Sequence, residues 1–369
     1  MTSSDESPSL DPLRSVHTSN FPEILSQLNA SVLVTTYQAG KLVVLRGDGG
    51  VLNTHFRNFD KPMGLARDGG RLAVGCSVDI WEFHNVPAVC AKLDASDDFP
   101  STSERHDACF LPRRSNCTGD IQIHEMAWID GELVFINTAF SCLAKRCDEN
   151  SFEPIWRPNF IKKLLPGDNC HLNGLAVRDG AVRYATALGE TDEPGGWRGN
   201  KRDGGILIDV ASDEIIARGL SMPHSPRWYS DKLWLLESGD GTIGTVDLST
   251  GKYESMAQFP GFTRGISFCG HLAFIGLSQV RESAVFSGIP LVDRIGKAEE
   301  RTCGVWILNI ETGETIGFCQ FEEGVQEIFA VEVLQGMRFP DLVNHDPKIV
   351  GQSYVLSDEA LHLVPDDLK

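Results

Sequence analysis

The sequence has little positive charge and almost none of the short motifs that announce a chemistry. Lysine and arginine together number 33 against 51 acidic residues, a formal net charge of −18. Neutralising phosphates needs a basic patch, so the balance argues against a nucleic-acid partner. No run of 18 apolar residues exists, which argues against a membrane span. The opening Met1-Thr2-Ser3-Ser4-Asp5-Glu6-Ser7-Pro8 lacks the basic and apolar regions of a signal peptide. No CxxC pair, GxSxG, P-loop or HExxH is found. The ten cysteines are irregularly spaced and, without a secretion signal, read as reduced thiols of a soluble cytoplasmic protein.

What is present is a repeat. Its unit is a short apolar strand, a tight turn with Gly or Asp, and a second apolar strand. His124-Glu125-Met126-Ala127-Trp128 leads through Asp130-Gly131 into Glu132-Leu133-Val134-Phe135-Ile136. His171-Leu172-Asn173-Gly174-Leu175 and His224-Ser225-Pro226-Arg227-Trp228 open two more copies, and Pro62-Met63-Gly64-Leu65-Ala66 and Thr263-Arg264-Gly265-Ile266-Ser267 another two. Asp-Gly pairs supply the positive φ angles of tight hairpin turns. The starts at 124, 171 and 224 are 47 and 53 residues apart, the length of one four-stranded blade with loop insertions. A sixth start is Val325-Gln326-Glu327-Ile328-Phe329-Ala330, and its partner strands come from residues 31–46. The expectation is therefore all-β: one six-bladed β-propeller over residues 21–369, closed by an N-terminal strand in its last blade, after a disordered tail at 1–20. The segment after about 335 has no assigned place.

In a propeller the first strand of each blade lines the central channel. Three inner strands begin with histidine: His124, His171 and His224. Read as equivalent repeat positions, their imidazoles converge on the axis as a ligand set for a divalent transition metal, whether zinc, copper, iron or nickel. The bland alternative is that they bond to carbonyls and solvate the channel mouth. Glu125 or Glu190 is the expected general base, and Asn173, Arg227, Arg264 and Glu327 are expected to bind a ligand. Ordinary salt bridging between blades would also account for those charges. Cys142 and Cys170 are further candidate soft ligands or nucleophiles, against a buried structural role. Loops 137–147, 187–204 and 276–303 are long and are expected on the histidine face.

Five segments also resemble an uncharacterised bacterial family known as conserved hypothetical proteins with a domain of unknown function. They are Phe140-Ser141-Cys142-Leu143, Trp156-Arg157-Pro158-Asn159-Phe160-Ile161, Cys170-His171-Leu172-Asn173-Gly174, Met222-Pro223-His224-Ser225-Pro226-Arg227-Trp228 and Pro260-Gly261-Phe262-Thr263-Arg264-Gly265. The resemblance spans roughly residues 20–340 and implies a propeller without an assigned activity. The architecture is more distantly similar to gluconolactonase-like and NHL-type propellers. The carboxylate and asparagine metal site of the gluconolactonase-like enzymes has no counterpart among these histidines. Two function classes follow: a metal-dependent enzyme acting on a small polar molecule or peptide side chain at the channel mouth, or a non-catalytic propeller that docks a protein or peptide on its long-loop face. The partner is then a small polar or anionic ligand, or a peptide.

Overall fold

The computed structural model describes residues 13–95, 105–280, 287–344 and 346–366. The alternating strands and Gly/Asp turns fold into six sheets around one axis, each antiparallel in its four core strands. Blade 1 runs outward through Leu65–Asp68, Arg71–Gly75, Asp79–Asn85 and Ala108–Cys117. The inner strands of blades 2 to 5 are Ile123–Ile129, Leu172–Arg178, Pro223–Tyr229 and Phe262–Cys269. Blade 6 takes its inner strand, Val331–Gln335, from the C-terminal part of the chain and its other three, Ala30–Thr36, Lys41–Asp48 and Val51–Asn58, from the N-terminal part. Each inner strand packs against the next, and Leu65–Asp68 touches both Val331–Gln335 and Ile123–Ile129, so the ring is closed.

The local chemistry explains the units. Asp130 and Gly131 both hold positive φ, at 49° and 81°, as a two-residue hairpin between Ile129 and Glu132 requires. Asp179 and Gly180 do the same at 53° and 76°. Crowding at the axis selects small residues. A Cβ on Gly64 would lie 2.0 Å from the His124 carbonyl oxygen, and one on Gly174 would lie 2.4 Å from the Pro226 ring. Apolar side chains fill the space between blades. The short helix Phe21–Gln27 buries Phe21 and Leu25 completely in the layer that joins blades 5 and 6, against Val43, Phe274 and Val305.

Three segments differ from the sequence expectation. Ser15–His17 lies within the supposed tail yet pairs with Thr315–Phe321 as a fifth strand of blade 5; residues 1–12 lie outside the described residues. The inner strand of blade 6 begins at Val331 rather than Val325. Residues 328–330 are held instead by Thr35, whose backbone bonds Ala330 and Phe329, and by Ser278, whose hydroxyl accepts from the Ile328 amide at 2.9 Å. Pro340–Leu342, which the sequence left without a place, pairs in parallel with Ala108–Cys117 on the rim of blade 1.

That last strand is anchored by charge. Asp341 is buried, and its carboxylate accepts from Arg57 at 3.2 and 2.6 Å while His55 Nε2 stands 3.1 Å away. Burial alone would raise its pKa, but His55 and Arg57 outweigh burial and hold it far below the ordinary carboxylate value. A folded pKa below the unfolded one stabilises the fold above about pH 4, and the contribution is lost as the pH falls. Replacing one member of a buried pair leaves the other charge uncompensated, at a cost of about 3–5 kcal/mol. Asp341→Asn is therefore expected to lower stability by that amount in urea denaturation at pH 7, and the gap from wild type should shrink as the pH approaches 3.

Candidate functional site

The strand pairing fixes which channel residues are equivalent. Ile123, Leu172 and Pro223 each face the last residue of the second strand, Asn137, Ala187 and Glu237. His124, Asn173 and His224 therefore occupy one repeat position. His171 stands two residues earlier, level with Gln122 and Met222, at the turn into the inner strand. All three of those residues hold left-handed φ, 50° for Gln122 and His171 and 46° for Met222. The expected threefold equivalence is thus corrected to a pair and a third histidine on a different support.

The pair is built alike. His124 Nδ1 lies 2.9 Å from the Gln122 carbonyl and 2.8 Å from Thr138 Oγ1; His224 Nδ1 lies 2.9 Å from the Met222 carbonyl and 3.0 Å from Ser238 Oγ. A carbonyl can only accept, so both Nδ1 atoms carry hydrogen and a neutral ring presents its Nε2 lone pair. Both residues are buried, and burial with the nearby Arg264 charge pushes both pKa values well below the ordinary histidine value. His124 Nε2 is buried without a hydrogen-bond partner among the described residues. His171 is oriented differently. Its Nδ1 donates to Asp168 Oδ1 at 2.8 Å, and Asp168 Oδ2 accepts from Trp197 Nε1 and from the Arg198 guanidinium, each at 3.0 Å.

These groups surround a cavity of about 230 Å³ at one mouth of the channel. Its lining includes the three histidines, Asp168, Trp197, Arg198 and Arg264, with Met63, Phe262 and Phe329 as apolar wall. The His124 and His171 rings meet edge to face with centroids 5.0 Å apart, while His224 packs on Phe262 at 5.5 Å. Among the described residues no three His, Cys, Asp or Glu side chains form a metal-holding group as placed. Arg264 lies 3.7 Å over the Phe329 ring and makes no ion pair with a described residue. Burial lowers it to about 9, with Glu125 opposing from a distance.

The other expected site residues are employed elsewhere. Glu125 accepts from the Leu175 amide at 2.9 Å and from Arg227 at 2.8 Å, which ties inner strands of three blades together beneath the cavity. Glu190 reaches outward to Arg218 at 3.0 Å on the surface. Neither carboxylate lines the cavity. Asn173 donates to the Pro223 carbonyl at 3.0 Å and accepts from Thr186 at 2.7 Å, lacing blade 3 to blade 4. Glu327 does not line the cavity but accepts a hydrogen bond from the hydroxyl of Tyr37, which does. Cys142 and Cys170 are buried thiols raised to about 12 by desolvation, which leaves them unreactive.

Of the three expected loops, 187–204 and 276–303 reach the histidine face in their described parts, whereas 137–147 is a short turn followed by Cys142–Lys145, the third strand of blade 2. Thr138, Leu188 and Trp197 sit at the histidine face, and Val280, Ile289 and Leu291 pack on Leu188, Trp197 and Phe262; residues 281–286 lie outside the described residues. Asp168, which the sequence reading missed, stands three residues before His171, a spacing that carries no signal until the turn at positive φ brings the two together.

The tautomers give a direct check. Imidazole ¹⁵N spectra should show His124 and His224 neutral and protonated at Nδ1 from pH 8 down through 6. Because the unfolded chain protonates these rings near pH 6.5 and the folded chain resists, they stabilise the fold above that value and less as the pH falls through it. A charged ring for both at pH 6.5 would contradict the geometry.

Comparison with known proteins agrees with the fold. Over residues 19–343 the chain matches the model of a family described as a domain of unknown function, DUF4915. No curated protein matches the sequence. Among solved structures, a chain of a nidogen/laminin complex aligns at TM-score 0.51 and 9% identity, covering 83% of this chain and 99% of that one. A protein of unknown function from Bacteroides caccae aligns at 0.49 and 9%, with the same coverage, and a virginiamycin B lyase from Staphylococcus aureus at 0.39 and 13%, covering 66% and 76%. At 9% identity the likeness to the nidogen/laminin chain concerns the fold alone. In the described residues no helix is long and apolar enough to cross a membrane. The match over residues 19–343 makes this propeller a member of the DUF4915 family.

Proposed function

We propose that the protein is an enzyme that binds a small anionic molecule at the channel mouth and moves a proton on it. The observation that carries this reading is Arg264: a guanidinium in the cavity wall with no carboxylate partner among the described residues, close to an Asp168–His171 pair. A half-buried cation without a counter-ion is stabilised by an incoming anion. Asp168 fixes His171 with Nδ1 as donor, which leaves Nε2 to take or give a proton beside the bound ligand. His171 thus holds the role the sequence reading gave to Glu125 or Glu190. The ten unpaired cysteines, eight of them buried, support a reducing cytoplasmic setting.

A metal-dependent variant of the same site has its own support. All three histidines bond through Nδ1, which is how metal-ligating imidazoles are commonly oriented. In that reading Nε2 of His124 and His171 hold a zinc, copper, iron or nickel ion and His224 closes on it. Metal content of freshly purified protein decides: a stoichiometric ion lost in His171→Ala favours the metal.

The test of the main reading is binding of small carboxylates, followed by calorimetry. Arg264→Gln should weaken any carboxylate that wild type binds by roughly 30-fold or more, the effect of removing one partner of a buried charge pair. His171→Asn should bind within a few-fold of wild type and lose turnover. Equal binding by wild type and Arg264→Gln would refute the reading. Tight binding of a peptide with no turnover in wild type would point instead to a propeller that docks a partner.

A further inference from the structure

The cavity offers more than a cation, and the rest of its polar lining narrows the ligand. Resting on the anion-binding reading above, we propose that the ligand is a hydroxy carboxylate of monosaccharide size, its carboxylate on Arg264 and two of its hydroxyls donating to Nε2 of His124 and His224. The argument begins at Nδ1. The Gln122 and Met222 carbonyls oblige both rings to carry hydrogen there, so both inward-facing Nε2 atoms are acceptors. His124 Nε2 belongs to a residue 5% exposed and has no partner among the described residues, which leaves a buried acceptor for the ligand to satisfy.

A ligand made only of acceptor oxygens, such as sulfate or a fully ionised phosphate, would place lone pair against lone pair at both rings. An ammonium donor would satisfy them but would be repelled by Arg264. Neutral hydroxyls beside one negative charge satisfy all three groups. One charge also suffices, because the other guanidinium in the lining, Arg198, is already paired with Asp168 at 3.0 Å. The remaining wall is aromatic: Trp197, Phe262 and Phe329, surfaces on which the C–H face of a sugar acid packs. The volume, about 230 Å³, falls below the range of about 300–1,000 Å³ typical of drug-sized ligands and suits a single ring or a six-carbon chain.

The experiment is calorimetric titration of the full chain at pH 7.5 with glucuronate, glucose, hexanoate, N-acetylglycine and inorganic phosphate. Glucuronate should bind, and each of the others should bind at least 10-fold more weakly. Glucose lacks the charge, hexanoate the hydroxyls, and phosphate the apolar face. His224→Leu should erase the preference for glucuronate over hexanoate while hexanoate binding persists, and His224→Gln, which keeps an acceptor, should restore part of it. If His224→Leu does not fold, the wild-type panel alone still decides. Hexanoate, N-acetylglycine or phosphate binding as well as glucuronate overturns the hydroxyl assignment but leaves Arg264 as an anion site. Binding of none of the anions, or glucose binding that matches glucuronate and ignores Arg264→Gln, overturns both readings.

Discussion

The pairing of Ala30–Thr36 with Val331–Gln335 holds the ring shut, and every other feature of the molecule depends on it. Five blades are built from contiguous sequence in their four core strands. Blade 6 is shared between the two ends of the chain, so its register, Ala30 opposite Gln335 through Val34 opposite Val331, is the seam of the whole ring. Without it the inner strands of blades 5 and 1 would each face an open crevice, and sheet edges would be exposed. The flanking segments reinforce the seam from outside. Ser15–His17 widens blade 5, Pro340–Leu342 widens blade 1, and the helix Phe21–Gln27 plugs the layer between blades 5 and 6. Each lies next to the seam in space, which is where extra strands do most to resist opening.

Closure brings the inner-strand starts of six blades within reach of one another, and the site is a consequence of that crowding. The same backbone position delivers His124 and His224, each with a hydroxyl residue from the end of its second strand at Nδ1. In blade 3 the equivalent residue is Asn173, used to tie blades together, and the functional histidine has moved to the preceding turn. One repeat position thus ties blades together in one blade and faces the cavity in two. Beneath the cavity Arg227 is paired with Glu125, whereas Arg264 above it has no carboxylate partner among the described residues. Arg264 and Arg227 differ in this respect, and on the proposed reading it separates a positioning charge from a binding one.

The fold was legible in the sequence because propeller chemistry is local. Asp-Gly turns and alternating apolar strands recur at blade spacing, and the N-terminal strands had the pattern of missing partners. The histidine cluster was legible for the same reason, since inner-strand starts are conspicuous. The register was not. His171 heads its segment as His124 and His224 head theirs, but it occupies the left-handed turn position that Gln122 and Met222 fill in the neighbouring blades, two residues before the histidine position, and no pattern of side chains reveals that. The roles of carboxylates were also hidden. Glu125 adjoins a histidine in sequence, yet alternation along a strand sends neighbours to opposite directions, and its oxygen goes to Arg227 and the Leu175 amide. Glu190 lies in the right loop with its side chain outward. Asp168 and Trp197 come from two loops whose convergence depends on tertiary packing alone.

The electrostatics of the site run against those of the whole chain. A net charge of −18 repels an anion at long range, whereas Arg264 attracts it at contact. The two effects act over different distances. At physiological salt the screening length is about 8 Å, so most surface carboxylates are not felt inside a walled cavity. Arg264, poorly solvated and flanked by Phe329, is screened far less. On the proposed reading the global charge would act mainly on the rate of encounter and the local cation on the lifetime of the complex. An acidic surface then acts as a filter on what enters. Polyanions such as nucleic acids are repelled once for every charge, while a small monoanion bound as proposed would be repelled once and attracted by Arg264. On the proposed anion-binding reading, selectivity for one charge and small size would arise from the same composition that argued against a nucleic-acid partner.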